Sequence, residues 1–450
     1  MVRRQPDSRL VVPFDRCHSP SPARLPSTCT RSRPLRFVTV PLSVALLFGL
    51  SVTGAAQESG FGAHITGQAI LTDTYVDRIP GGGSLSEARV VQPAIMLEGH
   101  GFGDRLRLTL TGDLEGWTLD DGELSPGSWG EGFFDRRHPH TFLHELMLSS
   151  SDILRGLDGP LSISLSLGKG FVPFGTDDPM SRPTLRYPMN HHYSQILERA
   201  VGIAGISLGP VIFEGSVFNG DEPTTPEDWP YLHRFADSWS LRATIHPLRG
   251  IELQGSRAHV HSPEHRPGAG LDVTKWSVSG RWNRSIRGIP AYLLVEWAES
   301  SEADRFFVFD SYLAEVQVSP GRHRVYYRLE RTKRPEETRT ADLFRSIRPH
   351  LENSILGVTD WKIQTAGYGF TIGPVFHGLR LEPFGEVSYA TVSRFGSGIF
   401  HPEFFYGGTT IYSASVGLRL DWGMRGHRMG RYGVAADADR DEMMHHSMQM

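Results

Sequence analysis

The feature that most constrains the fold of this chain is an alternation of apolar and polar side chains with a period of two residues. In the segment TIYSASVGLRLDW (410–422), every even-numbered residue from Tyr412 to Trp422 is apolar, whereas the odd-numbered residues between them are Ser, Ser, Gly, Arg and Asp. Because successive side chains of a β-strand point to opposite faces of the sheet, this pattern predicts a strand with one apolar and one polar face.

The same alternation recurs along most of the chain. RLRLTLTGDLEGW (105–117) sets leucines against Arg, Asp and Glu, and HRVYYRLER (323–331) sets Val, Tyr and Leu against Arg and Glu. The segments 198–209 and 358–373 are less regular, because both of their faces are apolar in places. We predict about sixteen strands, with the approximate ranges 61–75, 88–100, 104–117, 140–150, 160–173, 198–209, 211–219, 236–247, 250–261, 274–285, 290–300, 307–318, 321–332, 358–373, 377–392 and 409–422.

The connections between these segments alternate in length. Those after even-numbered strands are short, such as GFGD (101–104) and SPGR (319–322), whereas most of those after odd-numbered strands are long, such as 118–139 and 333–357. Short turns at one end and long loops at the other are typical of outer-membrane β-barrels. Tryptophans close to predicted strand ends, as in an interfacial aromatic belt, add to this prediction: Trp117, Trp239, Trp276, Trp282, Trp297, Trp361 and Trp422.

Closure of the sheet follows from the lipid environment, because a sheet in hydrocarbon must satisfy every backbone N–H and C=O group and can have no open edge. A closed sheet of about sixteen strands encloses a lumen wide enough for water, so charged side chains on its inward face are solvated. The sequence therefore predicts an all-β fold: a closed antiparallel transmembrane β-barrel of about sixteen strands (roughly 14–18), with short periplasmic turns and long extracellular loops.

The N-terminal residues have the composition of an export signal. Arginines precede the apolar stretch FVTVPLSVALLFGLSV (37–52), small residues follow it, and we expect cleavage between Ala56 and Gln57. A membrane anchor is the alternative, and Pro41 and the short apolar length argue against it. Residues 1–30 are either a disordered leader or the result of a start codon placed too far upstream. The expected organisation is a leader and signal peptide (1–56), an outer-membrane β-barrel (57–422) and a flexible Met/His-rich periplasmic tail (423–450).

Cysteine content and charge narrow the classes of function. Cys17 and Cys29 both precede the expected cleavage site, so the exported chain is not held together by disulfides. Residues 57–450 contain 38 basic and 48 acidic residues, which is a formal charge of −10. We therefore expect no nucleic-acid partner. The expected partners are outer-membrane lipid and small polar solutes or ions, and the sequence leaves open whether the chain forms a homo-oligomer.

Basic and acidic side chains nearly balance on the inward faces of the predicted strands. Rings of one sign would set an ion selectivity, whereas a balanced wall indicates a salt-bridged, weakly selective or partly occluded lumen. The alternative is a local sorting of charge into a transverse field or a binding ladder. The residues predicted to line the lumen are Arg105, Arg107, Asp113, Glu115, Arg242, Arg281, Glu296, Arg324, Arg328, Glu330, Arg380, Glu382, Glu386 and Arg419.

The histidine-rich stretch FFDRRHPHTFLHEL (133–146) has two interpretations. On a helix, His140 and His144 would share a face at i, i+4 and could bind a metal ion. Pro139 interrupts such a helix, and the sequence that follows has the alternation of a strand. On that strand we expect His144 to face the lipid and Glu145 to face the lumen.

Further histidines and methionines are candidate metal ligands. His259 and His261 share a strand face, and a bulge near 255–256 is needed to turn them inward. The long connection 168–199 either folds into the lumen as a constriction loop or caps the pore outside. The chain ends in MMHHSMQM, whose thioether and imidazole groups suit Cu(I) or Ag(I), and a disordered low-complexity tail is the alternative. The candidate ligands are His138, His140, His191, His192, His259, His261, Met443, Met444, His445 and His446, and apart from a soft metal ion at the tail we expect no cofactor.

Residues 61–422 resemble bacterial outer-membrane porins in architecture. The stretches DRRHPHTFLHEL, GKGFVPFGTDDPMSRP and YPMNHHYSQILERA are similar to those of a porin-like barrel family without a settled substrate. The resemblance implies the fold, an outer-membrane location and passive diffusion of small polar solutes or ions. One alternative is a metal-handling barrel that binds soft ions through the tail and rim histidines. The other is an outer-membrane enzyme, although we expect no catalytic residues.

Overall fold

A computed structural model describes residues 61–79, 82–119, 140–151, 161–176, 178–263, 267–337, 355–376, 378–423 and 428–438. Within these ranges, seventeen strands form one antiparallel sheet. The strands are β1 (Phe61–Val76), β2 (Leu85–Gly101), β3 (Leu106–Asp113), β4 (Leu143–Ser150), β5 (Leu161–Gly170), β6 (Arg199–Leu208), β7 (Val211–Phe218), β8 (Ser238–Leu248), β9 (Ile251–Val260), β10 (Val273–Ile286), β11 (Ile289–Glu302), β12 (Phe307–Val318), β13 (His323–Glu337), β14 (Ile355–Phe370), β15 (Ile372–Phe376), β16 (Leu379–Phe395) and β17 (Thr410–Trp422).

The sheet closes into a barrel with sixteen strand positions. β14 and β15 share one position, because both pair with β16 and only Thr371 separates them. The first and last strands pair from Gln68 with Asp421 to Val76 with Ser413, which leaves the sheet without an open edge. The predicted closed antiparallel barrel of about sixteen strands is therefore confirmed. The two least regular segments are strands as well.

The two faces of the barrel differ in chemistry. On β11, the side chain of Val295 is 47% exposed on the outer surface, whereas the neighbouring Glu296 is 4% exposed and points inward. An apolar exterior around a charged interior is stable only when lipid covers the exterior. The chain is thus a multi-pass β-barrel of the outer membrane. In the part of the chain that the structure describes, no helix has the length and apolar character needed to cross a membrane.

Two segments fill the inside of the barrel. The inner loop, residues 171–198 apart from 177, connects β5 to β6, and nearly all of its side chains are buried. The terminal segment, residues 428–438, follows β17, and its residues 428–435 are buried too. Their apolar side chains share one cluster with the wall, which includes Phe171, Tyr187, Met429 and Tyr432. Of the two alternatives for the long connection, the structure has the loop inside the lumen.

The prediction of a flexible tail from residue 423 is wrong for residues 428–438. Met429, Tyr432, Val434 and Ala435 are each at most 5% exposed. The segment is ordered because it buries these side chains, while its arginines meet carboxylates of the wall. Residues 439–450, with Met443, Met444, His445 and His446, lie outside the described residues, as does the expected leader and signal peptide.

One tryptophan that the sequence predicts in the aromatic belt lies inside the barrel instead. Trp361 on β14 is fully buried and packs edge-on against Tyr406, with ring centroids 5.4 Å apart. It lies on the inward face of β14 with Thr359 and Ile363. The connection between β16 and β17 folds over this end of the barrel and covers it with Phe400 and Tyr406. The belt prediction is therefore wrong at this position.

The outward face of β11 provides a test of the lipid contact. Val295→Arg, near the middle of the strand, should lower the free energy of unfolding in bilayers by about 2–4 kcal/mol, because it places a charge near the bilayer midplane. Ile289→Arg, at the short-turn end of the same strand, is the matched control and should cost only about 0–1 kcal/mol. Denaturant titration in lipid vesicles measures both, and equal costs would contradict this orientation in the membrane.

Candidate functional site in the barrel interior

The inner loop crosses the lumen and is bound by the opposite wall. Backbone N–H groups of Leu185 and Met189 donate to Glu386 and Glu330 at 2.8 and 2.7 Å. The side-chain amide of Asn190 donates to Glu296 at 2.7 Å. An irregular loop at membrane depth needs such acceptors for its backbone, because no strand supplies them. The wall carboxylates therefore hold the loop across the barrel.

Basic side chains of the wall bind the same loop through its carbonyl groups. Arg324 donates to the carbonyl oxygen of Pro183, and Arg328 donates to that of Arg186, each at 2.8 Å. Lys275 donates to the carbonyl oxygen of His192, also at 2.8 Å. Burial lowers the pKa of Arg186 to about 10 although acidic neighbours oppose this. Charges of both signs thus fix one conformation of the loop.

In the structure, most of the predicted lumen residues lie on the inner face of the barrel wall. Arg105, Arg281 and Arg419 are partly buried, and Arg380 is exposed near the short-turn end. Several of the buried ones form ion pairs, such as the pair of Arg242 with Glu214 at 2.6 Å. The fully buried ones are Arg107, Asp113, Glu115, Arg242, Glu296, Arg324, Arg328, Glu330, Glu382 and Glu386.

The terminal segment is held by carboxylates of separate strands. Arg428 forms a bidentate pair with Glu252 on β9, with distances of 2.7 and 2.9 Å. The Tyr432 hydroxyl donates to Glu145 on β4 at 2.6 Å and accepts from the N–H of Phe171 at 3.1 Å. Burial, and then the charge of Glu145, raises the pKa of Tyr432 well above its usual value, so the hydroxyl stays protonated. The terminal segment and the inner loop therefore meet at Phe171.

A histidine–carboxylate cluster lies at the long-loop end of the wall. Asp113 is the last residue of β3, Glu115 begins the short helix Glu115–Thr118, and His140 precedes β4. The His140 Nδ1 atom lies 3.1 Å from Asp113 Oδ2 and 3.1 Å from Glu115 Oε2. Each of the three side chains is at most 5% exposed. These three could hold a metal ion, because their donor atoms all lie within 4.8 Å of one another.

The protonation of this cluster follows from its burial and its partners. Burial lowers the pKa of His140, but the hydrogen bond to Asp113 and the carboxylate of Glu115 outweigh it and raise the pKa well above its usual value. Burial, and then the charge of Asp113, raises the pKa of Glu115. When only protein groups are considered, the cluster thus consists of a protonated His140 ring between the carboxyl groups of Asp113 and Glu115.

The expected orientation of His144 is wrong. The pairing of β3 with β4 shifts between Thr111 and Gly112, so one extra residue of β4 is inserted there. This bulge turns His144 inward beside Glu145, and its Nδ1 atom lies 2.6 Å from Glu198 Oε1. Burial would raise the pKa of Glu198, but His144 lowers it to about 2, so Glu198 is ionised.

The other candidate metal ligands are dispersed. His191 is buried in the inner loop against Tyr187, with ring centroids 5.2 Å apart, and His192 follows it in a short helix. The pairing of β9 with β10 has no bulge, so His259 stays on the outer face and His261 lies at the rim. Both bind Asp272, at 3.4 and 2.6 Å. His138 lies outside the described residues.

No family model matches the chain, and no curated protein is significantly similar to it in sequence. Among solved structures, an anion-selective porin from Comamonas acidovorans is 11% identical, with a TM-score of 0.47 over 80% of this chain and 100% of that one. OprB of Pseudomonas putida is 12% identical, with a TM-score of 0.46 over 80% of this chain and 94% of that one. OmpF of Salmonella typhi is 11% identical, with a TM-score of 0.46 over 81% and 98%. At these identities the likeness concerns the barrel fold and says nothing of a substrate.

The ion pairs of Glu252 provide a test of the terminal segment. Arg428 and Arg431 both pair with this carboxylate, so they should resist trypsin in the folded barrel. Glu252→Ala removes a carboxylate that pairs with both buried arginines, at a cost of about 3–5 kcal/mol, and should release the segment. We expect cleavage after Arg428 or Arg431 to become at least roughly tenfold faster, because cleavage follows the open population.

Intact-mass spectrometry of the digested barrel measures this cleavage. Glu214→Ala is the matched control, because it breaks the buried pair with Arg242 but has no hydrogen bond to the terminal segment among the described residues. Cleavage at equal rates in the wild type and in Glu252→Ala would show that Glu252 does not hold the segment.

Proposed function

We propose that the chain is an outer-membrane channel through which small polar solutes or ions diffuse passively, along a path narrowed by the inner loop and the terminal segment. The observation that carries this proposal is the charged interior of a closed barrel with sixteen strand positions. A barrel of this size encloses an aqueous space, and charged walls are stable there because water or opposite charges solvate them.

The pairing of charges supports weak ion selectivity. Arg242 is paired with Glu214, and Arg328 with Glu315 at 2.8 Å. Arg324 is likewise paired with Glu382. A ring of one sign would attract counter-ions strongly, whereas paired charges cancel over a few ångströms. The balanced-wall alternative is therefore favoured over a sorted field.

The two inserted segments support a narrow path. The inner loop binds β9, β11, β13 and β16 through the wall residues Ser256, Glu296, Glu330 and Glu386. The terminal segment binds β3, β4, β5 and β9 through Arg107, Glu145, Ser164 and Glu252. Together these bonds reach seven of the sixteen strand positions, so solutes pass beside or between these segments and only small ones fit.

Two other expectations stay predictions. Handling of soft ions by the tail and the rim histidines depends in part on Met443, Met444, His445 and His446, which lie outside the described residues. The expectation that the chain has no catalytic activity is likewise a prediction.

Conductance is the direct test of the channel. The chain from Gln57 onward, refolded into planar bilayers with asymmetric KCl, should give discrete steps of small amplitude and a reversal potential close to zero. The small amplitude follows from the narrowed path, and the reversal potential from the paired charges. Barrels that insert and stay silent would refute passive diffusion, and a large reversal potential would refute the balanced wall.

Release of the inner loop should change this conductance. Glu386 accepts the N–H groups of Leu185 and Arg186 at 2.8 and 3.1 Å, so Glu386→Ala frees the middle of the loop. We expect at least a twofold rise in open-channel current noise, and a higher mean conductance. Glu214→Ala removes a buried carboxylate that has no bond to the loop among the described residues and should leave both values unchanged. If Glu386→Ala behaves like that control, the loop does not restrict the path.

A further inference from the structure

We propose that Asp113, Glu115 and His140 bind one divalent first-row metal cation on the inner wall of the barrel. This site is separate from the soft-metal tail, and its function goes beyond passive diffusion. It lies where β3 ends and β4 begins, at the long-loop end of the barrel.

The spacing of the donor atoms fits a metal ion. Ligand atoms at 2.0–2.2 Å from a metal in tetrahedral or octahedral geometry are roughly 3.0–3.5 Å apart. The His140 Nδ1 atom lies 3.1 Å from Asp113 Oδ2 and 3.1 Å from Glu115 Oε2. Backbone contacts set this spacing, because the Glu115 N–H donates to Asp113 Oδ1 at 2.9 Å and Gln92 N–H donates to Glu115 Oε1 at 2.7 Å. The oxygen atoms that face His140 are the ones left for a ligand.

Two buried atoms at this place have no hydrogen-bond partner among the described residues. Glu115 Oε2 is one of them: His140 Nδ1 is close, but its geometry is not that of a hydrogen bond. The other is His144 Nε2, in a side chain that is fully buried. The His144 ring lies beside that of His140, with centroids 5.4 Å apart. Unsatisfied buried polar atoms are costly, and a cation held by the three donor atoms would satisfy Glu115 Oε2.

His144 packs beside His140 and is held there by Glu198. The His144 Nδ1 atom lies 2.6 Å from Glu198 Oε1, and this pair fixes the ring that packs against His140. Glu198 is itself held by the N–H of Thr141, at 3.1 and 3.2 Å to its two oxygens. We therefore assign Glu198 a positioning role.

The donor types and their charge indicate the class of metal. Imidazole nitrogen with carboxylate oxygen suits Zn²⁺ and neighbouring first-row dications, whereas Cu(I) and Ag(I) prefer thiolate or thioether sulfur. Two carboxylates balance the charge of one dication, with the ligating His140 neutral. Binding therefore replaces the proton of His140 by the metal, and that proton leaves to solvent.

The first experiment measures Zn²⁺ binding to the refolded chain from Gln57 by equilibrium dialysis and elemental analysis. We expect one tight equivalent that Glu115→Gln and His140→Asn weaken at least a hundredfold, because each removes a ligand. Glu198→Gln should weaken it roughly 10–100-fold, as positioning residues do. His401→Asn is the matched control, because His401 forms a His–carboxylate pair with Glu403 outside the cluster, and it should bind like the wild type.

Two outcomes would overturn the site. One is a wild-type barrel that binds no Zn²⁺, and the other is a folded Glu115→Gln barrel that binds it as tightly as the wild type. If the cluster variants fail to show the heat-modifiable migration of a folded barrel, Co²⁺ replaces Zn²⁺ as a spectroscopic probe. The visible spectrum of a nitrogen-ligated site should then persist in the tail variant His445→Asn/His446→Asn. Loss of that spectrum with the tail histidines would assign the binding to the tail and refute the cluster.

Discussion

The pairing of β1 with β17 is the contact on which the rest of the structure depends. It closes the sheet, and closure is what allows backbone N–H and C=O groups to remain in hydrocarbon, because each finds its partner on a neighbouring strand. Closure also creates a barrel interior that is separated from the lipid. Only after that can charged residues such as Glu296 and Arg328 occupy the middle of a membrane protein, where both bind the inner loop.

The interior charges have two structural uses at once. A wall carboxylate such as Glu386 accepts backbone N–H groups of the inner loop, and Glu252 pairs with arginines of the terminal segment. Such buried pairs contribute little net stability compared with apolar packing, but they are costly to break on one side only. They therefore specify which conformation the inserted segments adopt, and in this way they shape any path for solutes.

The fold could be predicted from the sequence because lipid imposes a simple rule on every strand. One apolar face per strand gives the period of two, and closure forces the alternation of short turns and long loops. This rule does not apply to the parts of the chain that have no contact with lipid. Trp361 lies on the inward face of β14, where a loop covers it. His144 faces inward because of a bulge that the residue alternation does not reveal.

The candidate site could be predicted only in part, for a related reason. Asp113, Glu115 and His140 were each recognisable as lumen or metal-binding residues, but Glu198 was not, since it enters from a loop 54 residues beyond His144. The terminal segment was missed because its short apolar stretches have no strand or helix period. Contacts between segments far apart in sequence leave no local signal.

The order of assembly follows from the terminal segment. Its partners stand on β3, β4, β5 and β9, and the segment itself begins only after β17, the strand that completes the wall. Its bonds to Glu145 and Glu252 can form together only when those strands already stand in register around it. Insertion of this segment is therefore a late step of folding, because its contacts with the wall can form only after the barrel has closed.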